Sequence, residues 1–196
     1  MPVAPLLKHL VLPVFCLLSS VALHGQISVY GNVGLTAYET VQNSTISHLS
    51  TAGGLMAGGF YNFPIESRLT AGVDVRTVAG FGSNGGDFTG AAFRIGFVPH
   101  QVPLRPFLQI GGGVVTTVLK NDTIYTGTTF RNVANERLTN GAAELAFGLD
   151  VRITDQFDWR AFDYGAAVGG GSTSNKGAAT AWLQTGVVYH LRGRRP

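Results

Sequence analysis

The sequence predicts an all-β fold, an eight-stranded antiparallel up-and-down transmembrane β-barrel preceded by a signal peptide. Three observations carry this. Apolar residues recur with period two rather than at helical spacing. No stretch after Gln26 stays apolar for the ~20 residues that a membrane-crossing helix needs. The links between alternating segments are short on one side and long on the other. Composition agrees, since 45% hydrophobic and 13% charged residues in a 196-residue chain are too apolar for disorder. One Cys and five scattered His leave neither a disulfide nor a zinc-ligand spacing, so no metal or cofactor is expected.

The elements follow in order. Residues 1–25 read as the signal peptide: Lys8 without an acid, an apolar run from Val11 to Leu23, then small residues up to a cleavage point before Gln26. Lys8 in that leader and Arg192, Arg194 and Arg195 in a basic tail, 192–196, account for the net charge of +3. Without them the chain is nearly balanced, which removes any case for a nucleic-acid surface.

Residues 26–191 form the predicted barrel. Its clearest strands are Arg68 to Val78, Ala143 to Ile153 and Ala179 to Leu191. In the first, Leu69, Ala71, Val73 and Val75 alternate with Thr70, Gly72, Asp74 and Arg76. Ile27 to Tyr38, Thr51 to Asn62, Phe88 to Val98 and Arg105 to Val118 alternate more weakly because Gly dilutes them. Phe157 to Gly169 completes the set, but its phase is open: Phe162 and Tyr164 share parity with Asp158 and Arg160, a conflict that a β-bulge would resolve. Short turns are expected at Asn62 to Ile65, Pro99 to Pro103 and Thr154 to Gln156, and long polar loops at Glu39 to Ser50, Gly80 to Asp87, Leu119 to Thr139 and Gly170 to Ala178.

Alternation alone does not say which face is outside. A soluble lipocalin-like carrier would turn the apolar face inward; a membrane barrel turns it to lipid. Strands of about 11 residues suit a tilted crossing. Tyr61, Phe63, Phe97, Phe157, Trp159 and Tyr189 gather toward the short turns as an interfacial girdle would.

On these features the chain resembles the small eight-stranded outer-membrane barrels of the OmpA/OmpX type. Gln184, Gly186, Tyr189 and Leu191 look like the last-strand signal read by the barrel assembly machinery, departing from it by ending in Leu191 and continuing into the tail. Arg160 to Gly165 is similar to the penultimate strand of such barrels. The resemblance implies a monomer in the bacterial outer membrane, reached after export, with membrane lipid, lipopolysaccharide and the assembly machinery as partners.

Parity places Arg68, Asp74, Arg76, Arg94, Arg105, Glu144, Asp150, Arg152, Asp158 and Arg160 inward. An eight-stranded bore is just wide enough for side chains to fill, and charges at that depth must pair. Asp74, Arg76, Arg94, Glu144, Asp150 and Arg160 are therefore expected to form a lumen ion-pair network, acting as a plug or as the gate of a narrow channel. Tyr125, Phe130, Arg131 and Arg137 in the third long loop are candidate surface-binding residues, and its basic side chains could touch lipopolysaccharide phosphates. A lipid A-modifying enzyme is the catalytic alternative. His48 and Ser50 lie two apart with Glu39 nearby, but Thr51 to Gly54 departs from the expected deacylase pattern. The expected role is structural or interactive and not catalytic.

Overall fold

A computed structural model describes residues 25–42, 45–81, 86–119, 122–125, 130–133, 136–170 and 176–191. The leader and the basic tail lie outside the described residues. The strands are β1 (Gln26–Gln42), β2 (Thr45–Pro64), β3 (Leu69–Gly80), β4 (Gly86–Phe97), β5 (Leu104–Leu119), β6 (Asp122–Tyr125), β7 (Phe130–Val133), β8 (Glu136–Arg152), β9 (Phe157–Gly170) and β10 (Lys176–His190). Eight of them close into one barrel in the order β1-β10-β9-β8-β5-β4-β3-β2, and β6 and β7 form a separate two-stranded sheet. Every pairing is antiparallel, and β10 closes on β1 from Ser28↔His190 to Gln42↔Lys176.

The short turns fall where the sequence puts them. Ile65 N–H donates to Leu69 O at 2.9 Å, and Thr154 Oγ1 accepts from the backbone N–H of Phe157 at 3.0 Å. The long side differs from expectation. β1 and β2 run on through Glu39 to Ser50, meeting at Gln42↔Thr45, and the third long loop contains the β6/β7 hairpin. Thr40, Val41, Thr45 and Ile46 are β-branched residues, which fit a pleated strand better than a coil. Polarity had marked that segment as loop, but polar threonines pair as strand beyond the apolar band.

The apolar face is outside. Val33, Leu35, Val73, Val75, Ile110, Leu145 and Val168 are all more than half exposed, whereas Asp74, Arg76, Gln109 and Arg160 are 0–1% exposed. A soluble carrier has the reverse arrangement, so the lipocalin-like alternative fails here. The outer band has polar edges. On the short-turn side Tyr61 and Phe63 have ring centroids 6.4 Å apart, Phe157 and Tyr189 5.0 Å, and Phe97 and Trp159 are exposed beside them. On the long side, Thr77 bonds Thr89 at 3.1 Å and Thr116 bonds Thr139 at 3.3 Å across neighbouring strands. One outward step beyond them stand the exposed charges Asp87 and Arg137. An apolar belt between an aromatic girdle and a charged rim is the surface a closed barrel turns to a bilayer.

β9 carries the bulge that its parity conflict demanded. Asp150 pairs with Arg160 and Leu149 with Phe162, while Gly186 pairs with Arg160 and Gln184 with Asp163, so Ala161 is the extra residue on both sides. Thr185 Oγ1 donates to Arg160 O at 2.8 Å across the bulge and accepts from Trp159 Nε1 at 3.1 Å. Before the bulge Asp158 and Arg160 point inward; after it Asp163, Gly165 and Ala167 do, and Tyr164 faces out.

Candidate functional site

The lumen is filled in two tiers. On the long-loop side, Met56, Val78, Phe88, Val115, Ala178 and Trp182 are buried together, with the rings of Phe88 and Trp182 stacked 5.8 Å apart. Glycine makes room for these rings: a Cβ at Gly165 would press on Trp182 and on the Ala146 side chain, and one at Gly148 would strike the Phe107 ring.

Beneath that apolar tier the charges form a ring of alternating sign. Arg76 Nε lies 3.1 Å from Asp74 Oδ1, and Asp74 Oδ2 lies 4.0 Å from Arg94 Nη1. Arg94 Nη2 reaches Asp150 Oδ2 at 2.8 Å, and Asp150 Oδ1 takes Arg160 Nε at 2.8 Å. Arg160 Nη1 is 3.1 Å from Asp163 Oδ2, and Asp163 Oδ1 is 3.4 Å from Arg76 Nη1, which closes the ring. Glu144 hangs from it, 3.4 Å from Arg76 Nε. All six lumen residues named from sequence are thus buried and brought together. Arg94 acts from the short-turn side, through Asp150, and not through Glu144.

Neutral groups lock the ring. Tyr30 Oη donates to Asp74 at 2.8 Å, and Trp182 Nε1 donates to Asp163 at 3.0 Å. The Arg94 guanidinium is sandwiched between Phe107 at 3.7 Å and Phe60 at 4.2 Å, and Arg160 lies over Tyr30 at 4.2 Å. Such stacking on ring faces compensates part of the hydration the cations lose. Sequence reasoning missed Asp163, because the bulge reverses its parity, and it missed Tyr30, Phe60 and Phe107, because inward aromatics alternate just as outward ones do.

At the short-turn mouth a second chain runs Ser28, His190, Asp158, Arg105. Ser28 Oγ is 2.7 Å from His190 Nδ1, His190 Nε2 is 3.0 Å from Asp158 Oδ2, and Arg105 Nη1 reaches the same oxygen at 2.6 Å. The order resembles a nucleophile, base and acid in a row, but Ser28 is 0% exposed and no substrate carbonyl can reach it. Arg68 and Arg152, assigned inward by parity, are exposed at strand ends where the barrel wall stops; Arg152 pairs with Asp155 in the turn.

The other predicted residues disperse. In β10, Gln184 is buried in the lumen, Gly186 sits opposite the bulge, Tyr189 packs on Phe157, and Leu191 N–H bonds Ile27 O at 3.0 Å across the closing seam. The register sets Tyr125 opposite Phe130 and Arg131 opposite Ile124 in the β6/β7 hairpin, but their side chains lie outside the described residues. Arg137 is exposed on the outer face of β8. Glu39 pairs with Leu49 and Tyr38 with Ser50, so Glu39 falls on the opposite face of the sheet from Ser50. The side chain of His48 is outside the described residues.

Neisserial surface protein A matches this chain with a TM-score of 0.50 at 14% identity, covering 83% of this chain and 96% of its own. The fold is that of a small outer-membrane barrel. Ail of Yersinia pestis (13% identity, TM-score 0.43, 83% of this chain and 98% of that one) and OprG of Pseudomonas aeruginosa (9%, 0.46, 86% and 97%) are further solved structures similar to it. No protein-family model matches the chain, and no curated protein matches it in sequence.

Proposed function

We propose that this barrel resides in the bacterial outer membrane as a non-catalytic structural or surface-interacting protein whose lumen is plugged. The observation that carries this reading is the filled bore: a closed ring of three arginines and three aspartates lies under the Phe88–Trp182 stack, with every member buried. Interior charges paired on both sides and stacked on rings hold strand register and leave no water path. The protein then acts through what projects from the membrane, the extended β1–β2 and β5–β8 strands and the β6/β7 hairpin. Lipopolysaccharide would be met by the exposed basic residues of that rim, Arg137 among them, and the assembly machinery by β10. A monomer suffices, because the barrel is closed and has no free strand edge.

The test is conductance in planar bilayers after the refolded barrel has been verified by its heat-dependent gel mobility. Wild type and the Arg94→Ala/Glu144→Ala double variant are both expected to stay at the baseline of protein-free bilayers. Discrete opening steps in wild type, abolished or widened by the double variant, would replace the plug with the gated channel.

A further inference from the structure

Beneath the ring the bore opens into a vestibule of about 1200 Å³ on the short-turn side. That is ample for a small organic molecule. Phe60, Phe97 and the proline-flanked turn 99–103 form its apolar wall, and Arg94, Arg105, Asp150, Asp158 and His190 form its polar end.

The hydrogen-bond inventory of that polar end is lopsided. Asp150 already takes three bonds, one from Arg94 and two from Arg160, and Asp158 Oδ2 takes Arg105 at 2.6 Å. The donors are less committed. Arg94 is 3% exposed, yet its Nε and Nη1 have no hydrogen-bond partner, and neither has Nε2 of His190. A guanidinium carries five N–H donors and accepts nothing. Arg105, the most open of the lumen arginines with 14% of its side chain exposed, presents its own fork on the cavity wall. Arg94 is held flat between two rings and so needs no ordering on contact. Surplus cationic donors beside spent carboxylates form a site for an oxyanion. One acceptor is also free, Oδ1 of Asp158, and it calls for a donor on the same ligand.

We propose that the vestibule binds a compact organic acid bearing a hydroxyl or ammonium group next to its carboxylate, entering from the short-turn side. Arg105 and Arg94 take the carboxylate, and Asp158 takes the neighbouring donor. The ligand's own donor also limits the negative charge brought into a lumen that already holds paired acids. This goes beyond the plugged-barrel reading and fails separately from it, since binding is read without any current across the membrane.

The experiment titrates the full barrel in lipid nanodiscs with L-lactate, glycine and acetate, following the arginine side-chain Nε–H resonances by NMR. Lactate and glycine are expected to shift Arg94 and Arg105 saturably, with acetate weaker by roughly tenfold for want of the donor. Arg105→Gln, first shown to fold by gel mobility, should weaken lactate by at least about tenfold, and Arg105→Lys, which keeps the charge and loses the fork, by less. Arg137→Gln on the opposite rim should leave it unchanged. Absence of a saturable shift with lactate and glycine at tens of millimolar would overturn the site, as would equal lactate affinity in Arg105→Gln, or acetate binding as well as lactate.

Discussion

The two halves of the lumen solve one problem with opposite chemistry. The long-loop half closes its bore with Trp182, Phe88, Met56, Val78 and Val115, which need shape and no partners. The short-turn half closes with a ring of guanidinium and carboxylate groups, each of which is costly to bury alone and acceptable only because its neighbours on both sides have opposite sign. The first kind of closure degrades by degrees as volume is lost. The second fails when any single charge loses its counter-charge. Trp182 joins the halves, with its ring in the apolar tier and its Nε1 on Asp163.

The sharpest way to break that contrast is Asp150→Ala. It leaves Arg94 and Arg160 buried without their shared carboxylate, and should cost about 3–5 kcal/mol in urea unfolding monitored in lipid vesicles. If the cost is below about 1 kcal/mol, the short-turn half is wetter than its burial implies. Trp182→Ala comes next, at about 3 kcal/mol in the same assay, from lost apolar area and the cavity left behind. Trp182→Phe separates the two roles of that residue: it keeps most of the ring and deletes the bond to Asp163, for about 1–2 kcal/mol. A null effect of Trp182→Phe would uncouple the halves. Gly165→Val tests shape alone, pressing two methyl groups into the Trp182 ring and the Ala146 side chain, and should cost about 1–3 kcal/mol.

The contrast also explains what could be read without a structure. Period-two alternation revealed the strands, the short turns and six ring or network residues, because a charge on a strand otherwise apolar on one face has nowhere to go but the other face. It could not reveal the bulge at Ala161, since one inserted residue changes parity without changing composition. Asp163 was lost for that reason. Inward rings were lost for another: Phe88 and Phe107 look the same in a string of letters as Phe93 and Phe147, which face outward. Their signature is the inward glycine on a neighbouring strand, Gly148 for Phe107 and Gly165 for Trp182, and that signal needs the register before it can be used.

The smallest expected effect sharpens the comparison most cleanly, because it holds the chemistry fixed and changes only the surroundings. Arg152 pairs with Asp155 in the turn between β8 and β9, two residues from the Asp150 that anchors the buried ring. The side chains of this outer pair are 44% and 69% exposed, against 4% for both Arg94 and Asp150. Water already solvates the outer pair in the unpaired state, so a double-mutant cycle of Arg152→Ala and Asp155→Ala should give a coupling under about 1 kcal/mol. That coupling should vanish near 1 M salt, where the screening length falls to about 3 Å. The penalty of Asp150→Ala should survive the same salt, since ions do not enter the ring. A salt-resistant coupling at Arg152 would mean that the turn is as sealed as the lumen, and burial would no longer distinguish the two pairs.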